Sequence, residues 1–341
     1  MKQAILLEPA KLVIQDVPVP VISQDEVLVR VKRIGICGSD VHVYHGTHPY
    51  TSYPVVQGHE LSCEVVKTGD HTQGFSSGDK ITIEPQQSCG KCYSCESGLY
   101  NLCDKLKVIG FQAAGAASEY YAARADRIVK LESNMSHAEG AMVEPLAVAV
   151  RAISQVGDVV GKNVLVLGAG PIGNLVAQVA RGMGAASLLI SDVNPFRLRI
   201  AESCGIEGTV NPLKENLEAS IINHFGAYKR ADIIVDCAGV SASIRGAIAC
   251  ARKGTAIIVV AVFGSEPAID MARINENELA LLGTARYVMS DFVKAIGLIR
   301  DARVTLSPLI TNVFEFSDYN LAYRYIQEQP ETAMKIQINV S

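Results

Sequence analysis

A glycine-rich turn constrains the fold of this chain more than any other feature. Gly168, Gly170 and Gly173 directly follow the apolar residues 164–167. Beyond the turn, apolar side chains recur at the spacing of one helix face, at Ile172, Leu175, Val176, Val179 and Met183. A strand, a tight glycine turn and a helix in this order form the first half of a βαβ unit. The sequence therefore predicts a doubly wound parallel sheet of Rossmann type here.

Further apolar runs continue this pattern after about residue 150. They have the length of buried strands, and helical periodicity separates them. Together with the first, these runs are residues 164–167, 188–191, 232–236, 256–262 and 279–283. Ser241 and Ser290 occupy positions that are typical of helix N-caps. We therefore predict an α/β cofactor domain over residues 151–290.

The first 131 residues have a different pattern. Apolar and polar residues alternate with a period of two in short runs that are separated by Gly, Pro and Ser. These runs are residues 12–17, 27–32, 61–66, 80–83 and 118–122. Such alternation is typical of strands with one buried face, so we predict a β-rich, barrel-like domain over residues 1–150.

The composition excludes several classes of function. The chain has 31 basic and 35 acidic residues, which gives no electrostatic footprint for nucleic acid or an anionic membrane. The longest apolar run, residues 256–263, is far shorter than the roughly 20 residues of a membrane-spanning helix. The N-terminal apolar stretch ends at Glu8, too early for a signal peptide. We expect a compact cytoplasmic protein, in which the nine cysteines serve as metal ligands or buried thiols rather than disulfides.

The glycine turn has the GxGxxG pattern of dinucleotide sites, and Pro171 and Ile172 complete it. The first glycine permits the tight turn, the second lets the backbone approach a pyrophosphate, and the third allows close helix packing. Asp192 follows Gly168 by 24 residues, near the roughly 20-residue offset of a ribose-binding acid. Its charge would repel the 2′-phosphate of NADP by about 1 to 4 kcal/mol, so NAD is predicted. Arg197 is the nearest cation, either stacked on the adenine or simply a helix-surface charge.

Four cysteines within fifteen residues form a second motif. They follow the pattern CxxCxxCx7C, at Cys89, Cys92, Cys95 and Cys103. Four thiolates on one short loop suit a tetrahedral zinc with no open position, which makes this metal structural. An iron–sulfur cluster also takes four cysteines, but the spacing matches neither common ferredoxin pattern. Redox disulfides are the remaining alternative.

A second group of metal-ligand residue types is dispersed along the chain. It comprises Cys37 in GICGSDVH, His59 and Glu60 in GHE, and Glu144 in VEPL. Spacing alone does not identify a metal site, since a buried thiol and solvated acids explain the same residues singly. Together with the four cysteines and the glycine turn, however, these motifs resemble the zinc-dependent medium-chain dehydrogenase/reductase family. The resemblance is closest to the polyol (sorbitol-like) branch and covers essentially the whole chain.

The resemblance implies a GroES-like catalytic domain, to which residues 291–341 return. It implies that Cys37 and His59 bind zinc, with Glu60 as a third ligand or a close neighbour of the ligands. Glu144 stands where alcohol dehydrogenases of the family carry a cysteine ligand, so it would bind the metal or hold its water. The implied cofactors are NAD and two zinc ions per chain, one catalytic and one structural. The implied reaction is hydride transfer between a secondary alcohol and the nicotinamide.

Ser39 and His42 match the proton relay of the family, with the hydroxyl first and the imidazole at the solvent edge. A solvated surface histidine is the alternative interpretation of His42. Cys63 departs from the family pattern, since a glycine is usual there, and this departure affects packing more than chemistry.

Four further residues are implied in substrate binding. Arg286 and Tyr287 match an Arg-Tyr pair that contacts hydroxyls in polyol dehydrogenases, and Tyr44 and Phe111 are candidates to line the same cleft. Arg286 is equally suited to a sugar-acid carboxylate or to a structural ion pair.

We therefore expect a zinc- and NAD-dependent dehydrogenase that acts on a polyol or a sugar acid. The alternatives are an L-threonine dehydrogenase-like enzyme, a zinc-free reductase of another branch, and a non-catalytic nucleotide-binding protein. A threonine dehydrogenase carries Asp-Pro where Glu144 and Pro145 stand here. The expected partners are a small alcohol substrate and further copies of the chain, as a homodimer or homotetramer through edge pairing of the cofactor sheets.

Overall fold

The structure, a computed structural model, describes residues 1–340 and divides into two compact units. The first unit comprises Met1–Glu144, Val288–Ile296 and the residues from Ile310 onward. The second comprises Pro145–Tyr287 and Gly297–Leu309. The observed boundaries lie a few residues from the predicted 150 and 290, and residues 297–309 group with the second unit.

Short strands dominate the N-terminal part of the first unit. They are β1 (Lys2–Glu8), β2 (Lys11–Asp16), β3 (Glu26–Ile36), β4 (Glu60–Thr68), β5 (Lys80–Ile83), β6 (Gln86–Gln87), β7 (Lys107–Val108), β8 (Tyr120–Arg124) and β9 (Ile128–Lys130). The helices in this part are α1 (Gly38–Tyr44), α2 (Tyr93–Glu96) and α3 (His137–Gly140). Four of the five predicted runs lie on strands over most of their length, while the run at 118–122 begins two residues before β8.

The second unit contains a six-stranded parallel sheet. Its strands are β10 (Asn163–Leu167), β11 (Ser187–Ser191), β12 (Gly208–Val210), β13 (Ile233–Asp236), β14 (Ala256–Val259) and β15 (Ala280–Gly283). Their order across the sheet is β12-β11-β10-β13-β14-β15. From the central β10, the chain adds β11 and β12 towards one edge, and it then adds β13, β14 and β15 towards the other edge. This is the doubly wound Rossmann order, which confirms the predicted fold class.

Helices connect these strands. They are α4 (Val143–Ser154), α5 (Pro171–Gly182), α6 (Pro195–Ser203), α7 (Leu217–Phe225), α8 (Ser241–Cys250), α9 (Met271–Glu276) and α10 (Met289–Arg300). The central strands carry no alternation because both of their faces are covered. Leu165 and Val166 of β10 and Ile234 and Val235 of β13 are all fully buried.

Both predicted serine caps are wrong. The N-cap of α8 is Val240, and Ser241 is already the first helical residue. The hydroxyl that contacts the cap belongs to Ser243 instead, which also donates to the buried Asp236 at 3.0 Å. Ser290 likewise lies inside α10.

The chain then returns to the first unit through β16 (Ile310–Glu315), α11 (Tyr319–Glu328) and β17 (Lys335–Asn339). These strands join a seven-stranded sheet in the order β16-β17-β3-β4-β5-β9, with β8 also paired to β3. β17 is antiparallel to β3, with Ile336 opposite Ile36. This register places Lys335 at the end of β3 from which the loop to α1 emerges. Within residues 1–340, no helix is long and apolar enough to cross a membrane.

Candidate active site and metal centres

The pairing of β3 with β4 brings together the dispersed residues of a candidate metal centre, called the metal centre below. β3 ends immediately before Cys37, and β4 begins at Glu60, which lies opposite Gly35. The ligand atoms of Cys37, His59 and Glu60 consequently all lie within 4.8 Å of one another. His59 and Glu60 are buried, and Cys37 is half-buried. Two strand ends thus bring together three of the residues that the sequence indicated.

Glu60 is paired with a buried lysine that the sequence analysis missed. Lys335 Nζ donates to Glu60 Oε1 at 2.6 Å and to Oε2 at 2.8 Å. Burial disfavours the charged form of Lys335, but Glu60 and Cys37 raise its pKa above the ordinary value. Gly35 makes room for the carboxylate, because a Cβ there would lie 2.0 Å from Glu60 Oε2. Both oxygens of the buried Glu60 carboxylate thus face the ammonium group of Lys335.

Glu144 lies in the first turn of α4 and is also buried. Its charge acts on both His59 and Lys335. Burial works against a protonated His59, but the neighbouring Asp40 carboxylate raises the pKa of His59 well above its usual value. The centre therefore contains more negative than positive charge among its own side chains, which favours a bound cation.

Asp40 connects two of these residues, and the sequence analysis gave it no role. Its Oδ2 accepts from the backbone N–H of Cys37 at 2.9 Å. Its Oδ1 lies 3.4 Å from His59 Nδ1, which has no well-aligned hydrogen bond within residues 1–340. A carboxylate on the far nitrogen of a metal-binding histidine orients the ring. One buried side chain thus positions both a thiol and an imidazole.

The predicted relay residues lie on α1. Ser39 Oγ lies 3.7 Å from Cys37 Sγ, so the hydroxyl adjoins the metal centre. His42 is exposed, and its Nδ1 lies 3.3 Å from Thr47 Oγ1. One helix therefore carries a hydroxyl beside the centre and an imidazole in contact with solvent.

Phe111 and Tyr44 differ in their surroundings. The Phe111 ring lies 5.0 Å from the ring of His59 and 5.0 Å from that of His48. Tyr44 stacks on Tyr323 with ring centroids 4.3 Å apart and an angle of 5° between the planes. Phe111 therefore borders the metal centre, whereas the Tyr44 ring packs against the C-terminal helix.

The four cysteines converge on one point. All four sulfur atoms lie within 4.8 Å of one another, with Cys92 to Cys95 at 3.4 Å and Cys89 to Cys95 at 4.0 Å. A tetrahedron with metal–sulfur bonds of about 2.3 Å has edges of about 3.8 Å. The sulfurs are too far apart for disulfides, whose S–S bond is about 2.05 Å. The cluster therefore has the dimensions of a closed zinc site.

Backbone N–H groups prepare this cluster for a cation. Donors from Asp104 and Cys95 lower the pKa of Cys92 to about 6. Cys103 Sγ accepts from the N–H groups of Cys89 at 3.2 Å and of Lys105 at 3.3 Å. Burial and the neighbouring thiol of Cys92 raise the pKa of Cys95 to about 11, so a metal is needed to ionise the whole set.

The glycine turn has the geometry that its motif predicts. Gly168 has φ +97°, and a Cβ there would lie 3.0 Å from the backbone nitrogen of Ala238. A Cβ on Gly173 would lie 1.8 Å from the carbonyl oxygen of Gly168. Gly170, the N-cap of α5, has no such neighbour within 4 Å. Pro171 and Ile172 begin α5, so the open side of the turn lies at a helix N-terminus, where anions bind.

Asp192 closes the turn from the end of β11. Its Oδ2 accepts from the backbone N–H of Ala169 at 2.7 Å, and its Oδ1 accepts from that of Asn194 at 2.8 Å. Arg197 Nη1 lies 4.0 Å from Oδ2. The carboxylate is thereby fixed beside the glycine turn, and each of its oxygens keeps a lone pair for a further donor.

Arg286 and Tyr287 lie in the second unit, just after β15. Arg286 has a left-handed backbone, with φ +56°. Tyr287 is buried, with 3% of its surface exposed. The structure thus places this pair in a strained turn rather than in a regular element.

Comparisons with known proteins agree with this architecture. Residues 23–133 match the model of the alcohol dehydrogenase GroES-like domain, and residues 171–301 match that of zinc-binding dehydrogenases. The chain is 34% identical to 2-dehydro-3-deoxy-L-galactonate 5-dehydrogenase of Pseudoalteromonas atlantica, over 90% of this chain and 89% of the relative. It is 32% identical to sorbitol dehydrogenase of Halalkalibacterium halodurans, over 92% of both chains. The solved structure of an Escherichia coli alcohol dehydrogenase with NADH superposes with a TM-score of 0.91 at 28% identity, over 100% of this chain and 99% of that one.

Proposed function

Because the chain belongs to the zinc-dependent medium-chain dehydrogenase/reductase family, in its polyol dehydrogenase branch, we propose that it interconverts a secondary alcohol and a ketone with NAD(H). The substrate class that we assign is a polyol or a sugar acid, since the relatives above are named for sorbitol and for a sugar acid. The observation that carries the proposal is the cluster of the half-buried Cys37 with the buried His59 and Glu60, whose ligand atoms lie within 4.8 Å of one another.

We assign the catalytic zinc to Cys37, His59 and Glu60, with Glu144 as the residue that binds the ion or holds its water. Thiolate, imidazole and carboxylate are ligands that zinc prefers, and three protein ligands with one open position are typical of catalytic sites. When bound, zinc polarises an alcohol oxygen and lowers its pKa towards neutrality. Lys335 holds the Glu60 carboxylate in place through a buried ion pair. The structural zinc is assigned to the four cysteines, whose sulfur separations suit a tetrahedron.

Proton removal is assigned to α1. Ser39 takes the proton of the substrate hydroxyl and passes it to His42, which releases it to water. Two properties support these roles. Ser39 adjoins Cys37, and His42 is exposed one turn further along the same helix.

Substrate contacts are assigned to Phe111, Arg286 and Tyr287. Phe111 offers an apolar surface next to His59. Arg286 offers a guanidinium, which bonds hydroxyls singly or a carboxylate through two parallel bonds. The substrate role of Tyr44 stays a prediction, and its stacking on Tyr323 supports a packing role as well.

The nucleotide is assigned as NAD, held at Gly168, Gly170 and Gly173 with its adenosine ribose at Asp192. The support is the fixed carboxylate of Asp192 beside the open turn. Two like charges about 4 Å apart repel by about 1 to 4 kcal/mol, which is at least about fivefold in affinity against NADP. Arg197 offsets part of this charge and offers a planar group to the adenine.

A second copy of the chain is the proposed protein partner. β15 is an edge strand of the parallel sheet, and Ala280 and Leu281 on it are exposed. An exposed apolar edge presents unpaired N–H and C=O groups that another strand can use. We propose that β15 pairs with its equivalent in a homodimer, or in a homotetramer built from such dimers. A cytoplasmic location, where thiols stay reduced, agrees with nine free cysteines.

One set of measurements tests the whole assignment. Purified chain should contain two zinc ions and should form NADH from NAD⁺ with a member of a panel of polyols, hexonates and threonine. Cys37→Ser should retain one zinc and lose turnover. The matched variant Cys63→Ala removes a buried thiol outside the proposed ligand set, and it should retain both zinc ions and turnover. Wild-type rates in Cys37→Ser would refute the zinc assignment. Oxidation of threonine alone would replace the substrate class, and a higher kcat/KM with NADP would refute the role of Asp192.

A further inference from the structure

A buried run of polar side chains leads from the C-terminal helix α11 to the metal centre. The Tyr323 hydroxyl donates to Gln57 Oε1 at 2.8 Å. Gln57 Nε2 donates to the carbonyl oxygen of Asp40 at 3.0 Å and to Asp40 Oδ1 at 3.3 Å. The same Oδ1 lies 3.4 Å from His59 Nδ1. Tyr323, Gln57 and Asp40 each expose only 2% of their surface, so bulk water does not substitute for these contacts.

The direction of the hydrogen bonds follows from Asp40. Its backbone carbonyl and its carboxylate only accept, so the donor nitrogen of the Gln57 amide must face them. The Gln57 oxygen is then left to accept from the Tyr323 hydroxyl. Asp40 Oδ1 lies 3.4 Å from His59 Nδ1, so the acceptor faces the Nδ1–H of the neutral ring. In that tautomer the Nε2 of His59 carries the lone pair that binds a metal.

The Tyr323 ring is held independently of its hydroxyl. It stacks on Tyr44 of α1, the helix that also carries Asp40, at 4.3 Å and nearly parallel. Offset or parallel ring pairs contribute about 0.5 to 1.5 kcal/mol beyond their buried area. Removing only the hydroxyl therefore leaves the packing of α11 against α1 in place.

We propose that Gln57 and Tyr323 are positioning residues for the zinc ligand His59, and that they act through Asp40. Without the Tyr323 hydroxyl, Gln57 Oε1 is buried with no donor, and the amide loses one of the contacts that fix its position. A displaced amide would loosen its bonds to Asp40, which would then hold His59 less firmly. This inference rests on the zinc assignment proposed above.

The test is the rate at which zinc-loaded protein releases zinc to an excess of a chromophoric chelator. Wild type should release two zinc ions in two phases, and Cys37→Ser identifies the phase of the catalytic site by lacking it. Tyr323→Phe should accelerate that phase about tenfold, since partners behind a metal ligand are typically worth 10- to 100-fold in affinity. The phase of the four cysteines should be unchanged and serves as the internal reference.

Two further variants separate this role from general destabilisation. Gln57→Met removes the amide contacts to Tyr323 and Asp40 while keeping a side chain of similar length. Adding Tyr323→Phe to this variant should accelerate zinc release no further, because the two residues act in series. Tyr325→Phe is the control, since Tyr325 lies on the same helix and its ring packs against Phe314 rather than in the run of buried polar side chains.

The outcomes distinguish the two levels of the proposal. A wild-type chain that holds only the zinc of the four cysteines defeats the zinc assignment, and this inference with it. The positioning role alone is overturned if the wild type holds two zinc ions and the catalytic phase is unchanged in Tyr323→Phe. Acceleration of both phases, or an equal effect of Tyr325→Phe, overturns it as well.

Discussion

Replacing Lys335 by methionine isolates the buried charge pair of the metal centre. The Nζ atom lies 2.6 and 2.8 Å from the two oxygens of Glu60, and the two side chains expose only 4% and 1% of their surface. Methionine keeps the length of the side chain but leaves Glu60 without its cation. Removing one partner of a buried pair costs about 3 to 5 kcal/mol. We therefore expect the zinc-free protein to lose about this much stability, or about 6 to 20 °C in Tm at about 2 to 4 °C per kcal/mol.

Zinc should reverse part of this loss. In the proposed site the ion lies next to Glu60 and supplies the positive charge that Lys335 no longer provides. If the loss is about 2 kcal/mol smaller with zinc than without, linkage requires the variant to bind zinc about 30-fold more tightly. Thermal unfolding of chelator-treated and zinc-loaded protein measures both quantities.

Glu60→Gln provides the control, because it removes the charge with little change of shape. Combined with Glu60→Gln, Lys335→Met should cost far less than it does alone, since no carboxylate is left unpaired. An equal loss in both backgrounds would show that Lys335 contributes by packing. An equal loss with and without zinc would remove Glu60 from the metal site.

Three further predictions follow from single positions. Gly170→Ala should leave Tm unchanged but weaken NAD binding at least about tenfold in a calorimetric titration. The added Cβ meets no protein atom, but it fills the face offered to the pyrophosphate. Gly173→Ala should instead lower Tm, since its Cβ would lie 1.8 Å from the Gly168 carbonyl oxygen. Asn174→Leu should raise the free energy of unfolding, measured in urea, by about 1 to 3 kcal/mol. The reason is that both amide atoms of Asn174 are buried with no partner within residues 1–340. A free energy of unfolding below that of the wild type would indicate an ordered water bound to the amide. Cys92→Ser should remove one zinc and lower Tm while the second zinc stays, and loss of both ions would contradict two independent sites.

Local features of the sequence predicted local structure well. The third glycine of the turn is decided by a local steric contact, since a Cβ on Gly173 would lie 1.8 Å from the Gly168 carbonyl oxygen. The cysteine cluster closes within fifteen residues, so its spacing alone indicated a closed metal site. The wrong N-cap prediction at Ser241 also has a local cause. Ser243, two residues further along the helix, contacts the N-cap residue with its hydroxyl in place of Ser241.

The supporting residues of the dispersed centre were beyond such reasoning. Lys335 meets Glu60 only because β17 pairs with β3, a contact between residues 275 positions apart. One signal was present, since Lys335 and Gln337 are polar residues in a strand that is buried along nearly its whole length. Asp40 was visible within the Cys37 motif, but its role depends on His59 lying opposite. Tyr323 lies 266 positions from Gln57 and carried no signal at all.

The two metal centres therefore differ in what must fold before a metal binds. The cysteine site needs only a loop of fifteen residues, and loop closure of that length has a modest entropic cost. The dispersed site needs β3 beside β4 for Cys37 and His59, and β17 beside β3 before Lys335 can reach Glu60. Until β17 is in place, Glu60 is a carboxylate without its buried cation, and its burial is unfavourable. All proposed ligands of this site lie in the first 144 residues, but the cation that balances Glu60 lies on the C-terminal strand β17. The return of the chain to the first unit therefore completes the charge balance of the site.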